Sequence, residues 1–242
     1  MCTATWIIHE NGYELFFNRD EKRDRPCALP PRVRRLRGVR VICPTDTQAG
    51  GTWLAVNQHG LAVGLLNHYP ECRPPVPEQP RSRGQLVLEV AASPSAAAVE
   101  AVLSRVNLAV YQPFTLLALA RGEPPVALNW NGKRIEPRIP PAMPLTSSSF
   151  ATEAVAVARR AAFEDTPGNA VLSPSAERLI AYHRSHLPSR GPYSVCMHRQ
   201  DARTVSFSHI KVTAIKAVFE YETGPPCRAL SVTTTSIRLT PR

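Results

Sequence analysis

The sequence contains no stretch that approaches the roughly 18 consecutive apolar residues of a membrane-spanning helix. The most apolar candidate, Leu86 to Leu103, is interrupted by Glu89, Pro94 and Glu100. The first residues also lack a basic segment followed by an apolar one, so they do not have the form of a secretory signal peptide. These absences predict a cytoplasmic protein with no membrane insertion.

Paired cysteines are missing as well. None of the six cysteines forms a CxxC pair, which argues against a zinc ribbon or a thioredoxin-type site. In a reducing compartment they are expected to be free thiols, most of them packing residues. Among the histidines, His183 and His186 stand three residues apart, a spacing more typical of solvated positions at a helix end than of a ligand pair. The sequence therefore predicts no metal site and no cofactor.

Lysine is scarce, although the net charge is +10. That charge would permit nucleic-acid binding. However, no aromatic residues interleave with the densest basic cluster, as stacking on single strands would require. The cluster fits a solvated strand or loop, or alternatively an anion-attracting rim beside a pocket, and consists of Arg32, Arg34, Arg35, Arg37 and Arg40. An anionic small molecule is therefore a more natural partner than nucleic acid.

Strand and helix signals follow each other in blocks. Two N-terminal hairpins are predicted, with Asn18 to Glu21 leaving the first, and their strands span 3–9 with 13–17 and 52–56 with 61–67. The later strands are expected over 114–120, 126–130, 193–198, 204–210 and 213–221, and the helices over 84–92, 93–106, 152–164 and 173–183. The tail after Gly224 is expected to be weakly ordered. This order fits two antiparallel sheets with helices outside, in one domain spanning residues 1–242.

Cys2 is the first candidate for chemistry. Its small side chain permits removal of Met1, which leaves a thiol and an α-amino group on one residue. An α-amine ordinarily has a pKa of about 7.7–8.0, so it can take the thiol proton directly or through water. Residue 2 would then be nucleophile and general base together, with no need for a separate histidine.

Three further residues are expected beside Cys2. A hairpin turning at Asn11-Gly12 places Arg19 and Asp20 next to the N-terminus. Arg19 would lower the pKa of the thiol by its charge and Asp20 would orient the ammonium, although a surface ion-pair cluster is the alternative for both. Asn67 ends an otherwise apolar strand, where its amide either donates to an oxyanion or closes a turn.

Together these segments resemble the NRDE family, which is also called the transport-and-Golgi-organisation family. The resemblance covers roughly residues 1–70 and rests on Met1-Cys2-Thr3, Asn18-Arg19-Asp20-Glu21, Gly51-Thr52-Trp53-Leu54, Asn57, Gly60-Leu61 and Asn67. The opening is also similar to that of the choloylglycine hydrolase and penicillin V acylase group, whose members are cysteine N-terminal-nucleophile hydrolases.

The resemblance implies an α+β fold, a four-layer αββα sandwich of two antiparallel sheets. It also implies that Cys2 is nucleophile and base, that Arg19 and Asp20 position it, and that Asn67 is the oxyanion donor. This sequence departs from those hydrolases at their Thr-Asn-Ser segment, since the nearest match is Leu145-Thr146-Ser147-Ser148-Ser149, which has no Asn. Their late active-site arginine has two candidates here, Arg190 and Arg199.

Two functions are consistent with the resemblance. The first is a cysteine N-terminal-nucleophile hydrolase that cleaves a linear amide or a related acyl bond in a small molecule. The second is a non-catalytic binding or trafficking protein for haem or an acyl ligand, because members of the NRDE family are linked to haem trafficking and acyl-CoA metabolism and a fold does not determine a function. Cys43 and the histidines are the candidate haem ligands.

Overall fold

A computed structural model of the protein describes residues 2–72, 74–166, 174–228 and 231–241. The strands are β1 (Cys2–His9), β2 (Gly12–Lys22), β3 (Leu29–Leu36), β4 (Val39–Thr45), β5 (Leu54–Asn57), β6 (Ala62–Asn67), β7 (Phe114–Leu119), β8 (Val126–Trp130), β9 (Ile135–Arg138), β10 (Leu145–Ser147), β11 (Ala202–Val212), β12 (Lys216–Thr223) and β13 (Val232–Arg238). The helices are α1 (Arg83–Val90), α2 (Ala96–Leu103), α3 (Thr152–Asp165) and α4 (Ala176–Arg184). Short 3₁₀ turns occur at Leu108–Val110 and Pro226–Arg228.

Two antiparallel sheets form the centre of the described chain. The six-stranded sheet has the order β10-β1-β2-β11-β12-β13, and the seven-stranded sheet runs from β3 to β9 in chain order. In the seven-stranded sheet every strand pairs with the next one along the chain, and α1 and α2 lie within the β6–β7 connection. In the six-stranded sheet, β10 and β11 return from far along the chain to flank the β1–β2 hairpin.

The two sheets pack face to face over an apolar core, and helices cover their outer faces. Side chains of alternate residues fill the space between the sheets, including Leu15, Phe17, Ile210, Leu54, Val56 and Leu117. On the far side of the seven-stranded sheet α1 and α2 contribute Leu86, Val87, Val90 and Val99. On the far side of the six-stranded sheet α4 contributes Leu179, which packs with Ile7, Phe16 and Phe207. The layers are therefore αββα, as the resemblance implied.

Local signals in the sequence predicted several elements well. The Ser95 hydroxyl accepts a hydrogen bond from the Ala98 N–H at 3.2 Å and begins α2, and Ser175 caps α4 in the same way. Such a cap contributes about 1 kcal/mol to helix stability. The hairpins at residues 10–11 and 57–61, and the hairpin of β7 and β8, are confirmed. Among the described residues, no helix is long and apolar enough to cross a membrane.

Several local predictions were wrong in the N-terminal part. Asn18 to Glu21 do not leave the strand: β2 continues to Lys22 because β11 pairs along this whole segment. The basic stretch before Pro44 forms the β3–β4 hairpin, which turns at Arg37 and Gly38 with φ of 49° and 83°. The arginine cluster thus lies on a hairpin at the edge of the seven-stranded sheet, which is one of the two alternatives that the sequence left open.

The C-terminal part also differs from the prediction. Residues 193–198 form an irregular segment instead of a strand, held by side-chain and loop hydrogen bonds such as Cys196 N–H to Ser185 O at 3.0 Å. The tail contains β13, which pairs with β12 over seven residues. Only alternate positions of β13 face the core, so its threonine-rich sequence carries little apolar signal, and tertiary pairing decides its structure.

Candidate active site

Cys2 lies at the start of β1, between two strands. Its register partners are Arg19 on β2 and Ser147 on β10. The thiol-bearing residue is only 6% exposed, and its main-chain nitrogen donates to the Ser147 hydroxyl at 3.1 Å. If Met1 is removed, this nitrogen is the α-amine. The Leu145–Ser149 segment therefore contacts residue 2 through the Ser147 hydroxyl. The sequence did not predict this hydrogen bond.

A pocket of about 360 Å³ opens beside Cys2. Its lining includes all four residues singled out in the sequence, Cys2, Arg19, Asp20 and Asn67. Asn67 comes from β6 of the seven-stranded sheet, whereas the other three come from the six-stranded sheet, so the pocket spans both sheets. This volume falls within the usual range of small-molecule sites. The structure thus brings the four residues together, while their catalytic roles stay predictions.

Arg19 is fixed by an aromatic ring and a carboxylate. Its guanidinium carbon lies 4.0 Å from the centre of the Trp53 ring, and Nη2 is 2.5 Å from Asp46 Oδ2. Asp46 also accepts from Arg25 Nε at 2.8 Å. Burial alone would raise the pKa of Asp46, but the hydrogen bonds from Arg25 and the Ala49 N–H, together with the charge of Arg19, hold it below its usual value. The Trp53 of the Gly51–Leu54 motif therefore supports the arginine of the Asn18–Glu21 motif.

The carboxylate of Asp20 is bound beneath the strands. Its Oδ2 accepts from Arg159 Nη2 at 3.0 Å and its Oδ1 accepts from the Thr204 hydroxyl at 2.7 Å. The Asp20 and Arg159 side chains are fully buried, and Arg159 also donates to the Thr3 hydroxyl at 2.6 Å. The ion pair ties α3 to the first two strands directly below residue 2. Arg159 was not predicted, because one arginine in a helical segment carries no signal of its distant partner.

The Cys2 thiol is held in its neutral form by its surroundings. Burial raises the pKa of this thiol, and the negative charge of Asp20 adds to that effect. A hydrogen bond from the Asp20 main chain and the charge of Arg19 act in the opposite direction without reversing it. A nucleophilic Cys2 therefore needs a nearby base to remove its proton.

The glycines of the Gly51–Leu54 motif bring a further cation to the pocket. A Cβ on Gly51 would collide with the main chain of Gly84, and the Thr52 N–H donates to Gly84 O at 3.0 Å. This close approach sets the first turn of α1 against the pocket, which Arg83 lines. Arg83 Nη1 donates to Pro113 O at 2.9 Å, and within the described chain Arg83 makes no ion pair with a carboxylate. Burial lowers the pKa of Arg83.

The Asn67 side chain makes fewer polar contacts within the described chain than the side chains of Arg19 and Asp20. It is half-buried, and its Nδ2 donates to the Tyr69 hydroxyl at 3.1 Å. By contrast, Asn57 of the same hairpin is fully used in structure, because its amide binds the Ala91 and Ser93 carbonyls and its oxygen accepts from two N–H groups. Of the two asparagines, only Asn67 presents its side chain to the pocket.

The two neighbours of Arg19 and Asp20 in the motif differ in placement. Because alternation along a strand sends neighbouring side chains to opposite faces, the sequence predicts that Asn18 and Glu21 point elsewhere or play supporting roles. Asn18 does so, since its amide donates to His183 O and Val195 O at 2.9 and 3.1 Å. Glu21 lines the pocket instead and lies 3.5 Å from Arg19 Nη2. Because Arg19 and Glu21 are two residues apart on one strand, they share a face.

Other candidates lie elsewhere. Neither Arg190 nor Arg199 lines the pocket: Arg190 is exposed near His198, and Arg199 pairs with Asp201 at 2.8 Å. His183 is not solvated but completely buried, where it shares a hydrogen bond of 2.9 Å with the Thr5 hydroxyl. Burial lowers the pKa of His183 to about 3. Cys43 is buried beneath α1 and α2, which argues against it as a haem ligand.

Comparison with known proteins agrees with this architecture. Residues 1–171 match the family Transport and Golgi organisation 2 (TANGO2). The chain belongs to this family. No curated protein sequence matches it. The TANGO2 match extends well beyond the N-terminal segments that carry the sequence motifs and includes α3, which supplies Arg159.

Solved structures show the fold. Penicillin V acylase from Agrobacterium tumefaciens superposes with a TM-score of 0.57 at 16% identity, covering 98% of this chain and 86% of the acylase. A mutant of conjugated bile acid hydrolase from Clostridium perfringens gives 0.57 at 12% identity, covering 98% and 92%. The Caenorhabditis elegans ortholog of N-acylethanolamine-hydrolyzing acid amidase gives 0.52 at 12% identity, covering 86% and 92%. The TANGO2-family chain therefore has the fold of N-terminal-nucleophile hydrolases.

Proposed function

We propose that this TANGO2-family protein is a cysteine N-terminal-nucleophile hydrolase that cleaves a linear amide or related acyl bond in a small anionic substrate. The observation that carries the proposal is the pocket itself. The buried Cys2 thiol, the Asn67 amide and the Arg83 guanidinium, which has no carboxylate partner among the described residues, line a single cavity of about 360 Å³. The acylase, hydrolase and amidase named above share the fold, and the last of them is by its name an amidase that hydrolyses N-acylethanolamines.

The proposed reaction begins after Met1 has been removed. The α-amine of residue 2 takes the proton of the Cys2 thiol, and the thiolate sulfur forms a bond to the acyl carbon. The carbonyl oxygen becomes an oxyanion, to which Asn67 Nδ2 donates. Collapse of this intermediate breaks the carbon–nitrogen bond, and the α-ammonium returns its proton to the leaving amine. Water then attacks the thioester, which releases the acid and restores the thiol.

Ser147 supports the base in this scheme. In the structure its hydroxyl accepts from the nitrogen of residue 2 at 3.1 Å. The same contact would hold one N–H of the α-amine and leave the nitrogen lone pair to face the thiol. By fixing the amine beside the thiol, this hydroxyl would help one residue to act as base and nucleophile. Ser147 is a positioning residue in the proposal.

The charges in the pocket favour an anionic substrate. Arg19 and Arg25 share the carboxylates of Asp46 and Glu21, so their charges are largely compensated. Arg83 donates to the Pro113 carbonyl and, among the residues that the structure describes, has no carboxylate partner. A substrate carboxylate could complete the hydrogen bonding of Arg83, since a guanidinium binds that group through two parallel bonds. We therefore expect substrates with a carboxylate close to the scissile bond.

The test combines intact mass with thiol-directed acylation. Protein purified from the native cytoplasm should lack Met1, and an activated-ester probe should acylate it once per chain. Cys2→Ala should abolish labelling and lower amide turnover by on the order of 10⁴-fold or more. Cys72→Ala is the matched control, because Cys72 is exposed and lies outside the pocket.

Three outcomes would end the hydrolase proposal. These are quantitative retention of Met1, labelling that survives Cys2→Ala, and a saturable haem site in a protein with no Cys2-dependent turnover of any acyl substrate. The last outcome would instead support the carrier function, and the shift of the haem absorption band on titration would measure its affinity.

A further inference from the structure

Two histidines and two cysteines converge outside the active-site pocket. His186 follows α4, Cys196 and His198 belong to the irregular segment before β11, and Cys227 lies in the short turn at Pro226–Arg228. None of the four is among the residues that line the pocket. Three separate parts of the chain therefore contribute to one cluster, and all its members are residue types that bind transition metals.

The distances in the cluster are those of a tetrahedral zinc site. One donor atom from each residue lies within 4.8 Å of all the others. His198 Nε2 is 3.2 Å from His186 Nε2, 3.5 Å from the Cys227 sulfur and 3.6 Å from the Cys196 sulfur. Zn–N bonds of about 2.0–2.1 Å and Zn–S bonds of about 2.3 Å in a tetrahedron separate two nitrogens by about 3.3 Å and a nitrogen from a sulfur by about 3.5 Å.

Hydrogen bonds between these side chains do not explain the arrangement. A neutral imidazole nitrogen carries either one proton or one lone pair, so it makes one good hydrogen bond. Here three groups approach the same atom, His198 Nε2. A cation placed between the four donors satisfies all of them at once.

We propose that His186, Cys196, His198 and Cys227 form a structural Zn²⁺ site. Two thiolates and two neutral imidazoles make a neutral complex with Zn²⁺, and four protein ligands close the coordination sphere, as in structural sites. The His198 Nδ1 then carries the proton. Arg190 Nη2, which lies 3.4 Å from this atom, belongs to an exposed side chain that can rotate away.

The site would stabilise a segment that has no sheet to hold it. The residues 193–198 are irregular, yet Val195 and Cys196 are completely buried. Asn18 on β2 donates to Val195 O at 3.1 Å, so this segment also contacts the central hairpin. Metal binding to such a segment contributes directly to folding free energy, because the ligands are not assembled in the unfolded chain.

The experiment measures metal in the untagged full-length protein purified under reducing conditions. Elemental analysis should find about one zinc per chain, and Cys227→Ser and Cys196→Ser should each lower this to near zero. Cys27→Ser and Cys72→Ser are matched controls that should keep the metal, since both cysteines are exposed and outside the cluster. A chelator should lower the thermal midpoint of the wild type and leave that of Cys227→Ser unchanged.

A second measurement avoids dependence on variants that fail to fold. Wild-type protein loaded with Co²⁺ in place of zinc should show the intense visible bands of tetrahedral cobalt and thiolate-to-cobalt charge transfer. Zinc content that is unaffected by the Cys196 and Cys227 substitutions, a cobalt spectrum of an octahedral site, or metal-free protein with these two thiols reduced would each overturn the proposal. A mass showing a Cys196–Cys227 disulfide in the native protein would overturn it as well.

Discussion

The active-site pocket and the His186–Cys227 cluster both gather reactive side chains, but they are built differently. The pocket grows from the register of adjacent strands, in which Cys2 faces Arg19 on one side and Ser147 on the other. The cluster is assembled from an irregular segment and the ends of more regular elements. A site that is set by strand register can be predicted from a short sequence motif. The position of a site on irregular segments depends on the packing of the whole fold.

The two regions also differ in what stabilises them. Beneath the pocket lies a buried ion pair between Asp20 and Arg159, neither of which is exposed to solvent. Within the described chain, no carboxylate belongs to the cluster of histidines and cysteines, which in our proposal is held together by a metal ion. Stability thus depends on a buried ion pair in the first region and, in our proposal, on a metal ion in the second.

The largest effect on stability is expected from Asp20→Asn. This change leaves the buried Arg159 guanidinium without its counter-charge, which should lower the free energy of unfolding by about 3–5 kcal/mol. Denaturant unfolding measures it. Asp201→Asn is the matched control, because the Asp201–Arg199 pair is exposed and should contribute no more than about 1 kcal/mol.

The same variant sharpens the comparison of the two regions. Zinc content should be unchanged in Asp20→Asn, because the substitution removes none of the four proposed ligands. The two regions are nevertheless joined through Thr204, whose hydroxyl donates to Asp20 Oδ1 and accepts from the Met197 N–H, so a double-mutant comparison measures any coupling between them. A loss of zinc together with the ion pair would mean that the two regions form one cooperative unit. An Asp20→Asn protein as stable as the wild type would contradict the role assigned to the ion pair.

Much of the pocket could be predicted from sequence because its parts are local. The Asn11-Gly12 turn sets the pairing of β1 with β2, and that pairing alone places Arg19 beside Cys2. Asn67 was found because it ends an apolar strand of a second recognisable hairpin. The αββα layers followed from the order of strands and helices and from the family resemblance.

The partners of these residues could not be predicted, for a physical reason. Asp46 and Arg159 reach the site from a loop and from α3, and the pairing is set by tertiary packing between distant segments. The same holds for the histidine and cysteine cluster. The sequence predicts no metal site because it has no CxxC pair. That spacing identifies a site only when two of its ligands lie close together in the sequence. Cys196 and His198 are separated only by the buried Met197, and a Cys-x-His spacing does not by itself indicate a metal site.

The next largest effect concerns Asn67 and is confined to the pocket. Asn67→Ala removes the proposed oxyanion donor and should lower kcat by about 10²–10³-fold with little change in KM. Tyr69→Phe is the control, because it removes only the hydroxyl that accepts from Asn67. Zinc content should be the same in both variants. A normal kcat in Asn67→Ala would remove Asn67 from the mechanism and leave Cys2 untouched.

The smallest expected effect tests the charge of the substrate. Arg83→Met keeps the aliphatic stem of the side chain but removes the guanidinium, whose charged hydrogen bonds contribute about 1.5–3 kcal/mol to binding. KM for a carboxylate-bearing amide should therefore rise by about 10–150-fold, with kcat unchanged because the interaction is made equally before and during the reaction. The neutral methyl ester of the same amide should be cleaved equally by Arg83→Met and the wild type. Arg81→Met is the matched control, since Arg81 also lines the pocket but pairs with Glu89 at 3.2 Å. Equal losses for acid and ester would show that Arg83 shapes the pocket through packing and does not bind the anion.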